Sequence, residues 1–143
     1  MTQPPFHLAF PVTNLEAVRE FYVSVLNCSI GRESDRWIDF DFFGHQITAH
    51  LDPAMINEVP VNSVDGHSIP ARHFGVILDW SEWDGLVDRI RDFNIVFYIE
   101  PYTRFKNQAG EQRTFFIQDP SRNFLEFKCF RNKKIIFEAS RNA

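Results

Sequence analysis

The sequence predicts an α+β chain built from two consecutive βαβββ modules, and three observations predict it. Two short apolar strings, Pro5-Phe6-His7-Leu8-Ala9-Phe10-Pro11-Val12 and Arg72-His73-Phe74-Gly75-Val76-Ile77-Leu78, each carry a histidine near the start. Each string is followed by a stretch with helical spacing, 14–26 and 81–93. After each helix comes a series of short strand-like runs separated by turn residues. A pattern that recurs once in the same order is the signature of a duplicated structural unit.

In the first module, residues 5–52, Thr13 or Asn14 is placed to cap the helix, with Glu16 in its first turn. Leu15, Val18, Phe21, Tyr22, Val25 and Leu26 recur at three- and four-residue spacing and form one apolar face, and Asn27 ends the helix. Strands are expected over 29–33 and 36–42, with Glu33-Ser34-Asp35 as their turn. Gly44 then turns the chain into a strand over 45–51. Residues 53–70 show little periodicity and four breakers, Pro53, Pro60, Gly66 and Pro70, and read as a linker that covers part of a pocket.

The second module, 71–130, repeats the order. Ser81 is expected to cap a helix whose stripe is Trp83, Leu86, Val87 and Ile90, closed by Phe93 and ended by Asn94. A strand is expected over 96–100, then a polar, basic excursion over 101–110, then strands over 111–118 and 124–130. Asp119-Pro120-Ser121-Arg122-Asn123 is a tight turn in which Asp119 bonds backbone amides. Residues 131–143 form a tail, and the whole chain reads as a single domain.

A chain of 143 residues with 44% hydrophobic and 24% charged residues is long enough for a proper core, and sixteen Phe point to a Phe-rich core or pocket. The formal net charge of -4 gives no bulk attraction for nucleic acid. No apolar run is long enough to span a membrane, and residues 1–5 lack the basic and apolar regions of a signal peptide. Cys28 and Cys129, without CxxC spacing, read as buried thiols in a reducing, cytoplasmic setting.

Matching histidines in a repeated unit suggest a pseudo-symmetric site, and imidazole is a common metal ligand. The last strand adds one carboxylate, Glu126, among apolar residues. Two imidazoles and a carboxylate, from His7, His73 and Glu126, suit a non-haem iron site with open positions, with zinc and manganese as alternatives. A buried Glu also needs a partner to offset its desolvation.

A His on the first strand of each βαβββ unit, the Asp119-Pro120 turn and a Glu on the last strand together resemble the vicinal oxygen chelate superfamily. It contains glyoxalase I, extradiol dioxygenases, and fosfomycin and bleomycin resistance proteins. The resemblance covers about residues 5–130 and is greatest to a bacterial subgroup described as predicted extradiol-type dioxygenases. It implies two curled sheets enclosing a metal-site cavity, a divalent metal ion (iron or manganese ahead of zinc, nickel or cobalt), and His7, His73 and Glu126 as ligands. Homodimerisation, a small-molecule substrate and no nucleic-acid or membrane partner are also implied.

Aligning the modules sets Thr48 over Glu126, so the fourth ligand of glyoxalase I is replaced by a residue that stays protonated. His50, two residues on, faces the same side as Thr48. It is the candidate acid or base in the second sphere, and a one-step slip would make it the fourth ligand. His45 faces the other way and reads as structural. Extradiol dioxygenases use a Tyr and a His near the metal; Tyr102 is the candidate here, with Tyr98 as alternative. The strand 113–118 carries neither residue type. Arg104 and Lys106 are placed to hold a substrate carboxylate. The expected function is a metal-dependent, extradiol-dioxygenase-like oxidoreductase. The alternatives are a non-catalytic, resistance-type binding protein and a glyoxalase-like lyase or isomerase.

Overall fold

The computed structural model describes residues 3–55 and 58–139. The chain divides into two compact units, one of 1–58 with 119–123, the other of 59–118 with 124–143. Each contains a four-stranded sheet with the same topology, so the duplicated βαβββ pattern read from the sequence is present.

The first unit runs β1 (His7–Val12), α1 (Leu15–Glu20), β2 (Ser29–Glu33), β3 (Trp37–Phe42) and β4 (His45–Leu51). Its strand order is β1-β4-β3-β2, with β1 parallel to β4 and the other pairs antiparallel. Side chains alternate across the sheet. Phe10, Val12, Ile38, Phe40, Ile47 and Ala49 lie on the buried face, along with Val18, Phe21, Tyr22 and Val25 from the helix. Asn14, rather than Thr13, caps α1, accepting from Ala17 N at 2.9 Å. The helix does not stay α-helical to its end: Phe21–Val25 form a π-helical turn, with Leu26 N bonded to Phe21 O at 3.3 Å. Asn27 then adopts φ 58°, the left-handed conformation that Asn tolerates at a helix end.

The widened turn carries Tyr22, which is fully buried against Phe10, Phe21 and Phe40. Its hydroxyl donates to Asp119 Oδ2 at 2.9 Å. Asp119 Oδ1 accepts from the amides of Ser121 and Asn123 at 2.8 and 2.9 Å, as the turn chemistry predicts. Burial pushes the Asp119 carboxyl up against these hydrogen bonds, and burial and then Asp119 push the Tyr22 hydroxyl well up. Segment 119–123 is further held by Ser121 Oγ, which accepts from Thr13 N, and by Asn123 Nδ2, which donates to Pro11 O, both at 2.9 Å.

The second unit contains a hairpin, β5 (Val61–Val64) and β6 (His67–Pro70), then β7 (Ile77–Leu78), α2 (Trp83–Asp92), β8 (Ile99–Arg104), β9 (Gln112–Gln118) and β10 (Phe124–Phe130). The sheet order is β7-β10-β9-β8, with β7 parallel to β10. Phe115 stacks on Phe127 and touches Trp83 and Phe97, which makes it the centre of this core.

Four sequence expectations change here. The stretch 61–70 is a hairpin, because Asp65-Gly66 takes the positive φ values (51° and 78°) of a two-residue turn. The helix begins earlier than Ser81: a 3-10 turn over Trp80–Glu82 leads into it, with Asp79 as its cap residue and Glu82 Oε2 accepting from Asp79 N at 3.3 Å. The strand expected over 96–100 lies instead at 99–104, because pairing with β9 draws Tyr102, Thr103 and Arg104 into the sheet. The strand expected over 72–78 is regular only at Ile77–Leu78, with an isolated bridge from Phe74 to Leu125. Cys28 and Cys129 are buried free thiols, and burial pushes Cys28 up to about 12.

A buried hydroxyl donating to a carboxylate contributes about 1.5–3 kcal/mol. Urea unfolding of Tyr22→Phe is expected to show a loss in that range. Asp119→Ala, which also strands two backbone amides, is expected to lose more than Tyr22→Phe; an equal or smaller loss would contradict the arrangement.

Candidate functional site

In the second unit, the face of the sheet opposite α2 carries the even-numbered residues of β9 and β10. Register places Glu126 beside Phe116, Lys128 beside Thr114, and Tyr102 and Arg104 beside Thr114 and Gln112. His73 joins this face from the irregular segment before β7. Its Nε2 lies 3.0 Å from Glu126 Oε2, its Nδ1 lies 2.8 Å from Pro70 O, and its ring packs edge-on against Phe116 at 5.0 Å. Thr114 Oγ1 donates to Glu126 Oε1 at 2.9 Å.

Gly75 makes this approach feasible. A Cβ built there would sit 1.5 Å from Glu126 O and 2.6 Å from its carbonyl carbon, so only glycine lets the two backbones come this close. The register through the gap is kept by Glu126 N bonding Phe74 O at 2.9 Å and Phe74 N bonding Phe124 O at 3.2 Å.

The protonation of the pair follows from its partners. A carbonyl oxygen only accepts, so Nδ1 carries the proton toward Pro70. Nε2 then faces an ionised carboxylate, and two acceptors cannot face each other at 3.0 Å without a cation between them. A proton there makes an imidazolium–carboxylate pair. Accordingly, the hydrogen bond to Glu126 raises the His73 pKa. Burial works to raise the Glu126 carboxyl, yet the hydrogen bond from His73, with Lys128 and Thr114, holds it below its ordinary value.

The first unit presents a different cluster at the corresponding place. Ala9 pairs with Thr48 in β1–β4, two residues after His7, just as Gly75 lies beside Glu126, two residues after His73. Thr48 therefore occupies the place of Glu126, as the alignment of modules predicts. Its hydroxyl donates to buried Asp39 at 2.6 Å. Asp39 also accepts from Arg32 Nε at 3.3 Å and Gln46 Nε2 at 3.4 Å. This register sets Thr48 at the place of Glu126 and pairs His50 with Pro11, two residues further along β4. His7 and His50 are both exposed, on β1 and β4. His45 is structural: its Nδ1 accepts from Phe6 N at 2.9 Å.

Within either unit, among the described residues, no group of three His, Cys, Asp or Glu side chains forms a metal-holding cluster. The second unit does bring His73 and Glu126 together, and it brings Tyr102 and Arg104 to one partner, Asp65 at the hairpin tip. Tyr102 Oη donates to Asp65 Oδ2 at 3.0 Å, and Arg104 Nε lies 2.5 Å from the same oxygen. Burial and then Asp65 push the Tyr102 hydroxyl up to about 12. Tyr98, the alternative, donates to Ser68 O at 3.0 Å. Lys106 is exposed in the turn after β8.

Thr114, Lys128, Asp65 and Gly75 were not among the residues expected from sequence. The first two share the alternation of Glu126 across β9 and β10, which sequence alone could have shown. Asp65-Gly66 is a recognised hairpin dipeptide. Gly75 gave no signal, since its constraint is the backbone of a residue 51 positions away.

Two outcomes follow. The sign of the pair's pH dependence is set by both shifts. A raised His73 pKa stabilises the fold fully below its ordinary 6.5, and this is lost as pH rises through the folded value. A lowered Glu126 pKa stabilises fully above its ordinary 4.5, and this is lost as pH falls through the folded value. The metal-free protein should therefore gain most from the pair between pH 4.5 and 6.5. NMR titration of the His73 ring should show its midpoint fall in Glu126→Gln. Separately, Gly75→Ala should cost about 1–3 kcal/mol or more by overpacking and should lower the same midpoint. An unchanged midpoint would refute the contact.

The model of the Glyoxalase/Bleomycin resistance protein/Dioxygenase superfamily matches residues 5–127. A crystal structure of a glyoxalase/bleomycin resistance protein/dioxygenase from Alicyclobacillus acidocaldarius is 34% identical, covers 94% of this chain and 96% of its own, and has a TM-score of 0.80. The fosfomycin resistance protein FosX from Listeria monocytogenes is 15% identical over 90% of this chain and 94% of its own, with a TM-score of 0.68. A lactoylglutathione lyase from Agrobacterium tumefaciens is 17% identical over 90% and 94%, with a TM-score of 0.64. At those two identities the likeness is one of fold. No curated protein matches the chain in sequence. With the duplicated βαβββ topology and a family match over nearly all of its length, the chain belongs to the glyoxalase/bleomycin resistance protein/dioxygenase superfamily.

Proposed function

We propose that this protein is a metal-dependent enzyme of the vicinal oxygen chelate type, an extradiol-dioxygenase-like oxidoreductase acting on a small substrate with two neighbouring oxygens. One observation carries the reading: His73 Nε2 is aimed at the Glu126 carboxylate at 3.0 Å while its Nδ1 is taken by Pro70 O. That donor pair needs a cation, and a divalent metal meets the need as well as a proton does. The proposed ligands are His73, Glu126 and His7, with iron or manganese ahead of zinc, nickel or cobalt. When bound, the ion supplies Lewis-acid stabilisation of charge on the substrate oxygens and, for iron or manganese, redox chemistry.

The chain's own residues prepare that place. Pro70 O fixes the tautomer and orientation of His73, and Thr114 fixes the Glu126 carboxylate. Phe116 packs against the imidazole in an edge contact that helps fix the ring. Tyr102, pushed up to about 12, holds its proton at neutral pH and would act as a donor rather than a base. Asp65 accepts that hydrogen bond and pairs with Arg104, so a substrate carboxylate held by Arg104 has to displace the hairpin tip. His50, exposed on β4, is the proposed base, and Lys106 the proposed outer contact for an anionic substrate. Homodimerisation is part of the same proposal.

A second reading, a resistance-type protein that binds a ligand without chemistry, is favoured by one feature. Among the described residues, no Tyr or further His hydrogen-bonds to His73 or Glu126.

Mass spectrometry of protein purified without chelator is expected to find near-stoichiometric iron or manganese, lost in His73→Ala and reduced in His7→Ala. Zinc or nickel would redirect the work toward lyase or isomerase chemistry. Absence of metal after reconstitution would overturn the proposal and leave the binding reading. His50→Ala should keep the metal and slow turnover.

A further inference from the structure

A cavity of about 440 Å³ lies wholly within the second unit, on the sheet face that also carries Glu126, although neither His73 nor Glu126 lines it. That volume is within the range of small-molecule sites. Its floor is the same sheet face: Arg104, Gln112 and Lys128, with Phe130 at the end of β10. Its outer wall is the segment that follows β10, where a 3-10 turn over Lys133–Ile135 presents Ile135 and Ile136 to the cavity. One side of the space is polar and cationic and the other apolar.

The charges on the floor do not cancel. Glu126 is matched by His73, and Arg104 by Asp65. Lys128 is half-buried, lines the cavity, and among the described residues its ammonium has no ion-pair or hydrogen-bond partner. The Glu126 carboxylate feels the Lys128 charge but is hydrogen-bonded to His73 and Thr114 instead. A half-buried cation without a contact partner of its own is favourable to a protein holding an anion. One further polar group lacks a partner: the Gln112 side-chain amide bonds no described residue. Arg104 Nε forms no hydrogen bond but stays ion-paired to Asp65 Oδ2 at 2.5 Å, so it reaches an anion in the cavity only by sharing that pair or displacing Asp65. Glu138 also lines the cavity, but it is exposed at the rim, where water screens its charge.

We infer that this cavity is a binding site for an organic anion with an apolar body, its carboxylate or equivalent anionic group held by Lys128 with Gln112 and Arg104, and its body lying between Phe130 and the Ile135–Ile136 wall. It rests on the proposed enzyme reading in one respect: it names the substrate class of that site. The anionic group would sit on the face that carries Glu126, two residues from Lys128 on β10. The segment after β10 then acts as a specificity wall, since it supplies the apolar side.

Isothermal titration with three probes tests this on the full chain, with metal and after chelation. The probes are octanoate, which has both features, octanol, which lacks the charge, and acetate, which lacks the body. Octanoate is expected to bind about tenfold or more tighter than either of the others. Lys128→Met should lose about tenfold in octanoate affinity and leave octanol unchanged, while Lys128→Arg retains most of the octanoate affinity. Ile136→Asp, on the half-exposed wall, should weaken octanoate and octanol together without lowering thermal stability. Equal binding of octanoate and octanol, no binding of octanoate, or an unchanged Lys128→Met would each overturn the inference. Metal content measured on the same samples separates the two proposals. Metal retained through His73 without octanoate binding defeats only this one, and octanoate binding by a protein that takes up no metal defeats only the metal reading.

Discussion

A carboxylate and an imidazole nitrogen facing each other at 3.0 Å are the constraint around which the second unit is arranged. Because Pro70 O already takes the other ring nitrogen, the gap between them has to be filled by a positive charge. Everything nearby bears on that gap. Thr114 steadies the carboxylate, Phe116 packs edge-on against the ring, and Gly75 lets the strand segment carrying His73 come within contact of the Glu126 backbone. The hairpin β5–β6 supplies the Pro70 carbonyl at one end and Asp65 at its tip. This hairpin is tied to β8 by Tyr102 and Arg104, and to the residue just before β8 by Tyr98.

The two units share topology and diverge in chemistry. At the position that bears Glu126 in the second, the first bears Thr48, committed to Asp39. Asp39 accepts from three side chains and is only 4% exposed, so that cluster is internally satisfied. The second unit's face is not: Lys128 and Gln112 look into the cavity without partners among the described residues. Duplication thus leaves one polar cluster whose groups bond one another and one in which Lys128 and Gln112 bond no described residue. The first unit's own constraint is Asp119, whose buried carboxylate ties Tyr22 to the 119–123 turn.

Much of this was legible in the chain. Periodicity and turn residues were enough for both helices, most strands and the Asp119 turn, because those elements depend on local conformational preference and on one buried face. The matching histidines were legible because duplication makes equal positions comparable, and the observed register beside Thr48 and Glu126 agrees with that comparison. The expected excursion holds over 105–110, whereas 101–104 belong to β8, because Tyr102 and Arg104 are polar residues that pair with β9. The helix cap was misplaced because a 3-10 turn moved the start to Asp79, and a Ser beside a Glu mimics a cap.

By itself, then, the sequence determined the βαβββ repeat, the turn chemistry and the candidate donors His7, His73 and Glu126, since each follows from residue type, spacing and repetition along the chain. Only the tertiary structure decided which groups meet. That His73 reaches Glu126, that Tyr102 and Arg104 share Asp65, and that Lys128 has no contact partner among the described residues all depend on strand register and on the close backbone approach at Gly75. Such contacts join residues tens of positions apart, and no local preference encodes a distance of that kind.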